Sequence, residues 1–277
     1  MPHSVFVYGT LLRGMMRAMV LYQSTFLGLA RTKAALYDLG SYPGMKEGSG
    51  TVFGELFEVD DTVLDFLDRV EGYDSYSHDY SLFVRKKIEI QKLSDGQKVQ
   101  AQAYFYNHSP PPQSKISEGD FRRFRIEQES EQWILSFGSN ISKKRLSQRV
   151  GTIKEVKKGK ILDHRLLFNK KAHNKHASYA NLEYAKGEHC PAIAWKMTSE
   201  QITALDRYEG TPLHYLRIGI PFQEEGGEEF ITQAYIAAPE KLVQGIPPTD
   251  DYLECIRKGY QEFDLPLSYL EEARQRY

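Results

Sequence analysis

The chain has 277 residues, 41% hydrophobic and 26% charged, with 18 Tyr, 14 Phe and 2 Trp. These are ordinary values for a globular protein and leave room for two domains of usual size; a disordered or fibrous chain is excluded. A formal net charge of -1 gives no general attraction to nucleic acid or to an anionic membrane surface, so the expected partner is a small molecule.

Cys190 and Cys255 are the only cysteines, too few for a disulfide framework and in keeping with a reducing compartment, so a cytoplasmic location is expected. The opening MPHSVFVYGTLL lacks the basic start and long apolar run of a secretory signal. No stretch approaches the roughly 20 apolar residues of a membrane-spanning helix. Neither export nor membrane insertion is expected.

Taken in chain order, the elements repeat. The first is an apolar strand in VFVYGTLLRG (5–14), running into Tyr8-Gly9-Thr10-Leu11. VFGELFEV (52–59) reads as a strand and leads to a helix that starts at Asp60 or Asp61, both good capping residues, and closes in LDRVEG (67–72). The run with Gln102, Ala103 and Tyr104 alternates as a strand. HSPPPQS (108–114) cannot continue a strand, GDFRRF (119–124) carries two Phe expected to pack on the first domain, and residues 128–132 read as a linker.

The series then begins again. WILSFGSNISKKRL (133–146) is an apolar strand from Trp133 into Phe137-Gly138-Ser139-Asn140 and a helix. PAIAWKM (191–197) precedes a helix capped at Thr198 or Ser199, with Gln201 at capping-box spacing, which closes in LDRYEG (205–210). Gln233, Ala234 and Tyr235 repeat the Gln-Ala-Tyr strand. The tail from Asp250 reads as helix broken at Pro266. Ordered matches of this kind define a tandem repeat. The expected fold class is α+β, with domains at 1–127 and 133–277.

Each copy offers two chemical features. A strand turning at glycine directs several backbone N–H groups to one place, a nest suited to a carboxylate or phosphate; the same loop could instead be only a tight strand-to-helix turn. Glu71 and Glu209 each end a helix, where the carbonyl end of the macrodipole disfavours negative charge, so a raised pKa suited to general acid-base chemistry is expected. The competing reading pairs each glutamate with the arginine two positions earlier or with a nearby lysine. Asp68, Arg69, Asp206 and Arg207 read as structural. His173, His176, His189 and Cys190 match no tetrahedral metal spacing, and KKAHNKHASY (170–179) reads as a solvated basic loop. No GxSxG elbow, P-loop, GxGxxG or CxxC occurs.

YGTLLRG, SYPGM (41–45), VFGELFEV, LDRVEGY and GDF together resemble the AIG2-like branch of the gamma-glutamylcyclotransferase superfamily across residues 1–127. SFGSNISKKRL, SYANLEY (178–184), AIAWKM, LDRYEG and HYLRIGI (214–220) are similar to the gamma-glutamylcyclotransferase branch itself. The resemblance implies two small mixed β-barrels with flanking helices. It also implies catalytic glutamates at Glu71 and Glu209 and glutamyl-binding loops at Tyr8, Gly9, Thr10 and Leu11 and at Phe137, Gly138, Ser139 and Asn140, with Tyr215 beside the second. The implied reaction releases 5-oxoproline and an amine from a γ-glutamyl amine or peptide, without metal or organic cofactor. Two departures are visible: YDSYSHDYSL (73–82) intervenes before Phe83, and Phe137 replaces the usual loop tyrosine. The copies are therefore expected to be unequal, with a binding-only role for one or both as the competing function.

Overall fold

The computed structural model describes residues 2–172 and 176–276. The chain divides into two compact units, residues 1–125 and 126–277.

In the first unit, five strands close a ring: β1 (His3–Val7), β2 (Thr25–Asp38), β3 (Pro43–Val59), β4 (Phe83–Lys92) and β5 (Lys98–Tyr106). They run in the order β3-β1-β5-β4-β2, and β2 pairs back onto β3. Only β1 and β5 are parallel, meeting at Val5 and Gln102. Helix α1 (Asp61–Val70) follows β3, the short β6 (Lys115–Ile116) extends β2, and α2 (Phe121–Ile126) ends the unit. The barrel interior is filled by Phe6, Tyr8, Leu36, Met45, Leu56 and Phe121. Phe121 of the GDF segment is thus a core residue, since its ring has nowhere apolar to go except into the barrel.

The second unit closes in the order β10-β11-β7-β9-β8. Its strands are β7 (Glu131–Ser136), β8 (Val156–Lys171), β9 (Ser178–Thr198), β10 (Tyr215–Glu224) and β11 (Glu229–Ala237). Again one pair is parallel, β7 with β11, at Ile134 and Gln233. Helices α3 (Lys143–Val150), α4 (Ser199–Glu209), α5 (Asp250–Glu262) and α6 (Leu267–Arg274) flank the barrel. Trp195, Tyr260, Phe168 and Phe222 are fully buried in it. Both units are mixed β-barrels with helices, an α+β architecture.

The helices carrying the glutamates form as the sequence dictates. The Asp60 side chain accepts from Val63 N–H and caps α1, while Thr198 and Gln201 form a reciprocal capping box on α4. Gly72 and Gly210, at φ of +63° and +68°, leave the helices by the left-handed conformation open to glycine.

One boundary differs from expectation. The strand expected from Trp133 begins at Glu131, which shortens the expected 128–132 linker. Gln132 is buried because its side-chain oxygen accepts from Gln233 Nε2 at 2.6 Å, and that bond draws it into the sheet. After Tyr8-Gly9-Thr10-Leu11 no α-helix starts; turns lead to a single 3-10 turn at Ala18–Leu21.

Candidate functional site

The first pocket lies where β1 ends. It is lined by the whole expected set, Tyr8, Gly9, Thr10, Leu11 and Glu71, together with Arg17, Tyr42, Pro43, Phe83 and Tyr104. Among the described residues, the N–H groups of Gly9, Thr10 and Leu11 donate to no protein acceptor. Three unspent donors beside a cavity are what an anion-binding nest requires. Gly9 is required by close approach: a Cβ there would stand 2.8 Å from Pro43. The loop is pinned from below by Glu55, fully buried, whose carboxylate accepts from Arg13 N–H at 2.9 Å and from Arg122 at 2.8 Å. Burial pushes the Glu55 pKa up, but Arg122 and Arg13 outweigh it and hold the carboxyl below its ordinary value.

Glu71 faces this loop from the end of α1. Its pKa rises from 4.5 to about 7, chiefly because the carboxyl is buried, with Arg17 opposing. The expected direction holds, but desolvation leads, not the helix dipole. Among the described residues no side chain lies within hydrogen-bonding distance of the Glu71 carboxyl, so the pairing with Arg69 does not form. Tyr8 contributes its ring but not a free hydroxyl, which donates to the Tyr104 carbonyl at 2.6 Å and accepts from Met45 N–H at 3.3 Å.

The second pocket gathers Phe137, Gly138, Ser139, Asn140, Glu209 and Tyr215, with Tyr235 and Tyr252. Here the glutamate is engaged. Arg149 Nη1 and Asn140 Nδ2 each donate to Glu209 Oε1 at 2.9 Å, and Arg149 also reaches Asn140 Oδ1 at 2.8 Å. The competing ion-pair reading therefore describes Glu209, with the arginine supplied by α3 instead of by Arg207. With Phe137 lacking a hydroxyl, Tyr215 ties β10 to β9, donating to the Ala180 carbonyl at 2.8 Å.

One device is common to both units and was missed in the sequence. The tyrosine of each Gln-Ala-Tyr strand donates to the aspartate of the helix motif at 2.7 Å, Tyr104 to Asp68 and Tyr235 to Asp206. Each aspartate also pairs with an arginine of the following strand, Arg85 at 3.5 Å and Arg217 at 3.0 Å. Asp68 and Asp206 stand one helical turn before Glu71 and Glu209, so the triad fixes the helix end that presents each glutamate. The repeat of Gln-Ala-Tyr was its visible signal.

One reading at β8 changes. Lys170, expected in a solvated loop, is a residue of β8 and only 2% exposed; the strand continues past the polar stretch and carries the side chain inside. His173 of the weighed metal cluster lies outside the described residues. Among those described, no group of three or more His, Cys, Asp or Glu is arranged to hold a metal, and no helix is long and apolar enough to cross a membrane.

Twin barrels, each setting a helix-end glutamate against a glycine loop, define a class of tandem AIG2-like proteins. The family described as gamma-glutamyl cyclotransferase, AIG2-like, matches residues 5–123, and the AIG2-like family matches residues 191–272. A putative gamma-glutamylcyclotransferase of Methanocaldococcus jannaschii is 33% identical over 128 residues, 44% of this chain and 97% of the relative. The gamma-L-glutamyl-butirosin B gamma-glutamyl cyclotransferase of Niallia circulans is 31% identical over 132 residues, covering 47% and 81%. A putative gamma-glutamylcyclotransferase of Vibrio cholerae is 49% identical over 73 residues, 26% of this chain, and the match spans 64% of that relative's length. Among solved structures, YkqA from Bacillus subtilis superposes with a TM-score of 0.77 at 20% identity, covering 99% of this chain and 97% of its own. This chain belongs to the gamma-glutamylcyclotransferase family.

Proposed function

We propose that the protein is a gamma-glutamylcyclotransferase that releases 5-oxoproline and an amine from a γ-glutamyl amine or peptide. The observation that carries this reading is Glu71, poised at about pH 7, across one cavity from the three free amides of Gly9, Thr10 and Leu11. A group of that pKa both accepts and returns a proton near neutrality.

The loop amides hold the glutamyl carboxylate while Glu71 takes a proton from the substrate's α-ammonium. The freed amine attacks the γ-carbonyl and a carbon–nitrogen bond forms to close the five-membered ring. Glu71 gives the first proton to the leaving nitrogen as its bond to carbon breaks, then relays the second proton of the ring nitrogen to the freed amine, which departs as an ammonium. Glu71 ends as the carboxylate it began as, and no net proton is gained or lost. Tyr8, Phe83 and Tyr104 wall the cavity and limit water around the carboxyl.

Glu209 with Phe137, Gly138, Ser139, Asn140 and Tyr215 forms the second proposed site for the same substrate class. Its carboxylate must give up or share bonds to Arg149 and Asn140 before taking a proton, and this favours a binding-only role for the second unit as the competing reading. Both cysteines are free, which supports a reducing, cytoplasmic location. Incubation with a panel of γ-glutamyl amines and dipeptides, followed for 5-oxoproline, tests the reading. Turnover should fall roughly 10²–10⁴-fold in Glu71→Gln if the first pocket carries the reaction. A panel giving no 5-oxoproline at any substrate would overturn it.

A further inference from the structure

Arg17 and Glu71 are the only charged residues among the described residues that line the first pocket. The Arg17 backbone N–H donates to the Thr10 carbonyl at 2.8 Å, so the turns after Gly9 fold back onto the binding loop and set this side chain at the cavity. Among the described residues the guanidinium makes no hydrogen bond or ion pair. It acts on Glu71 through space, opposing the rise in its pKa, without closing an ion pair with it. The second unit differs at this point: Arg149 Nη1 is spent on Glu209 at 2.9 Å and on Asn140 at 2.8 Å.

An exposed arginine is served by water and needs no partner in the protein; what marks Arg17 is its place in the order of depth. Gly9, Thr10 and Leu11 are buried, Glu71 is half-buried and Arg17 is exposed. A γ-glutamyl compound whose α-carboxylate rests on the buried amides brings its α-ammonium to Glu71 and directs its leaving amine outward, toward Arg17. The amides have then taken the anion of the glutamyl part, and the ammonium of that part is repelled by a guanidinium. An anion that meets Arg17 therefore comes from the leaving amine, and a carboxylate matches the guanidinium fork.

We propose that Arg17 is a specificity-determining residue of the first pocket, its guanidinium receiving a carboxylate carried by the leaving amine. The substrate class is then a γ-glutamyl amino acid or short peptide, in preference to a γ-glutamyl alkylamine or polyamine, whose leaving group is neutral or cationic. The inference rests on the proposed function and narrows it.

The test uses the full chain and two substrates, L-γ-glutamyl-L-alanine and L-γ-glutamylethylamide, which differ by the carboxylate of the leaving amine. Release of 5-oxoproline is followed for the parent, Arg17→Met and Arg17→Lys. In the parent, kcat/KM should be roughly tenfold higher for the alanine compound, chiefly through KM. Arg17→Met should bring the two substrates within about twofold of each other, and Arg17→Lys should keep part of the preference, since it keeps the charge and loses the fork. Removing Arg17 also removes a charge that acts on Glu71, which alters the rate on both substrates alike, so the ratio between them reads the contact. An Arg17→Met protein with the parent's ratio would overturn the proposal. So would one that loses rate equally on both substrates with the preference intact. If the parent turns over both with equal kcat/KM, the inference falls alone. If it turns over neither, isothermal titration of the same pair decides the contact: tighter binding of the alanine compound by the parent and not by Arg17→Met upholds it, and equal binding or none overturns it. The proposed function itself falls only if the whole panel gives no 5-oxoproline.

Discussion

Glu55 is fully buried and Glu71 half-buried in the first unit, and their surroundings drive the two carboxyls in opposite directions. Glu71, desolvated and opposed only by Arg17, rises to about 7. Between about pH 4.5 and 7 the folded form keeps a proton that the unfolded chain has released, so stability falls as pH rises through that window. Glu71→Gln removes the fall. Urea denaturation should show the variant more stable than the parent at pH 8 by on the order of 1–3 kcal/mol, and no different at pH 4. Equal stabilities at both pH values would contradict the burial of the charge. Glu55 has the reverse sign: its depressed pKa contributes stability above the ordinary carboxyl range, lost as pH falls through the folded value. Glu55→Gln leaves Arg122 buried without its counter-charge and should cost roughly 3–5 kcal/mol, read from the same denaturation curves. Glu71 was legible because LDRVEG recurs as LDRYEG. Glu55 was not: it sits inside VFGELFEV, where strand alternation says nothing about two arginines arriving from distant segments. Lys170 was misread for a related reason, since a run of polar residues gives no sign of how far a strand carries into a barrel.

At the scale of elements, the helix that presents the glutamate is positioned from its far side. Asp68 and Asp206 join α1 and α4 to the Gln-Ala-Tyr strands through Tyr104 and Tyr235. Asp68→Ala leaves the Tyr104 hydroxyl and the Arg85 guanidinium without their acceptor. The expected loss is about 1.5–3 kcal/mol of stability, with a fall in kcat larger than any rise in KM, because the end of α1 is no longer fixed. A variant with parent stability and parent kcat would show that the triad positions nothing. Helix limits, caps and terminal glycines were readable, because Asp60, Thr198, Gln201, Gly72 and Gly210 act on neighbours in sequence. The segment after Gly9 was not readable as turns, since its path is set by the buried Glu55 carboxylate holding Arg13 and by the approach of Pro43. Those are contacts between strands, and periodicity does not record them.

For the whole molecule, the repeat found in the sequence is a repeat of architecture: both barrels have five strands, and one parallel pair closes on the Gln of the same tripeptide. The asymmetry expected from Phe137 and the 73–82 insertion takes a definite physical form. One glutamate is half-buried and, among the described residues, without a hydrogen-bonding side-chain partner; the other is held by an arginine and an asparagine. Two proposed pockets in one chain make a combined substitution the most direct test. Initial rates of 5-oxoproline release should be measured for the parent, Glu71→Gln, Glu209→Gln and the double variant, on the best γ-glutamyl substrate of the panel. The parent should turn over, Glu71→Gln should lose most of the rate, and the double variant should release no 5-oxoproline above background. A double variant that retains the parent rate would contradict the assignment of these glutamates as the proton carriers.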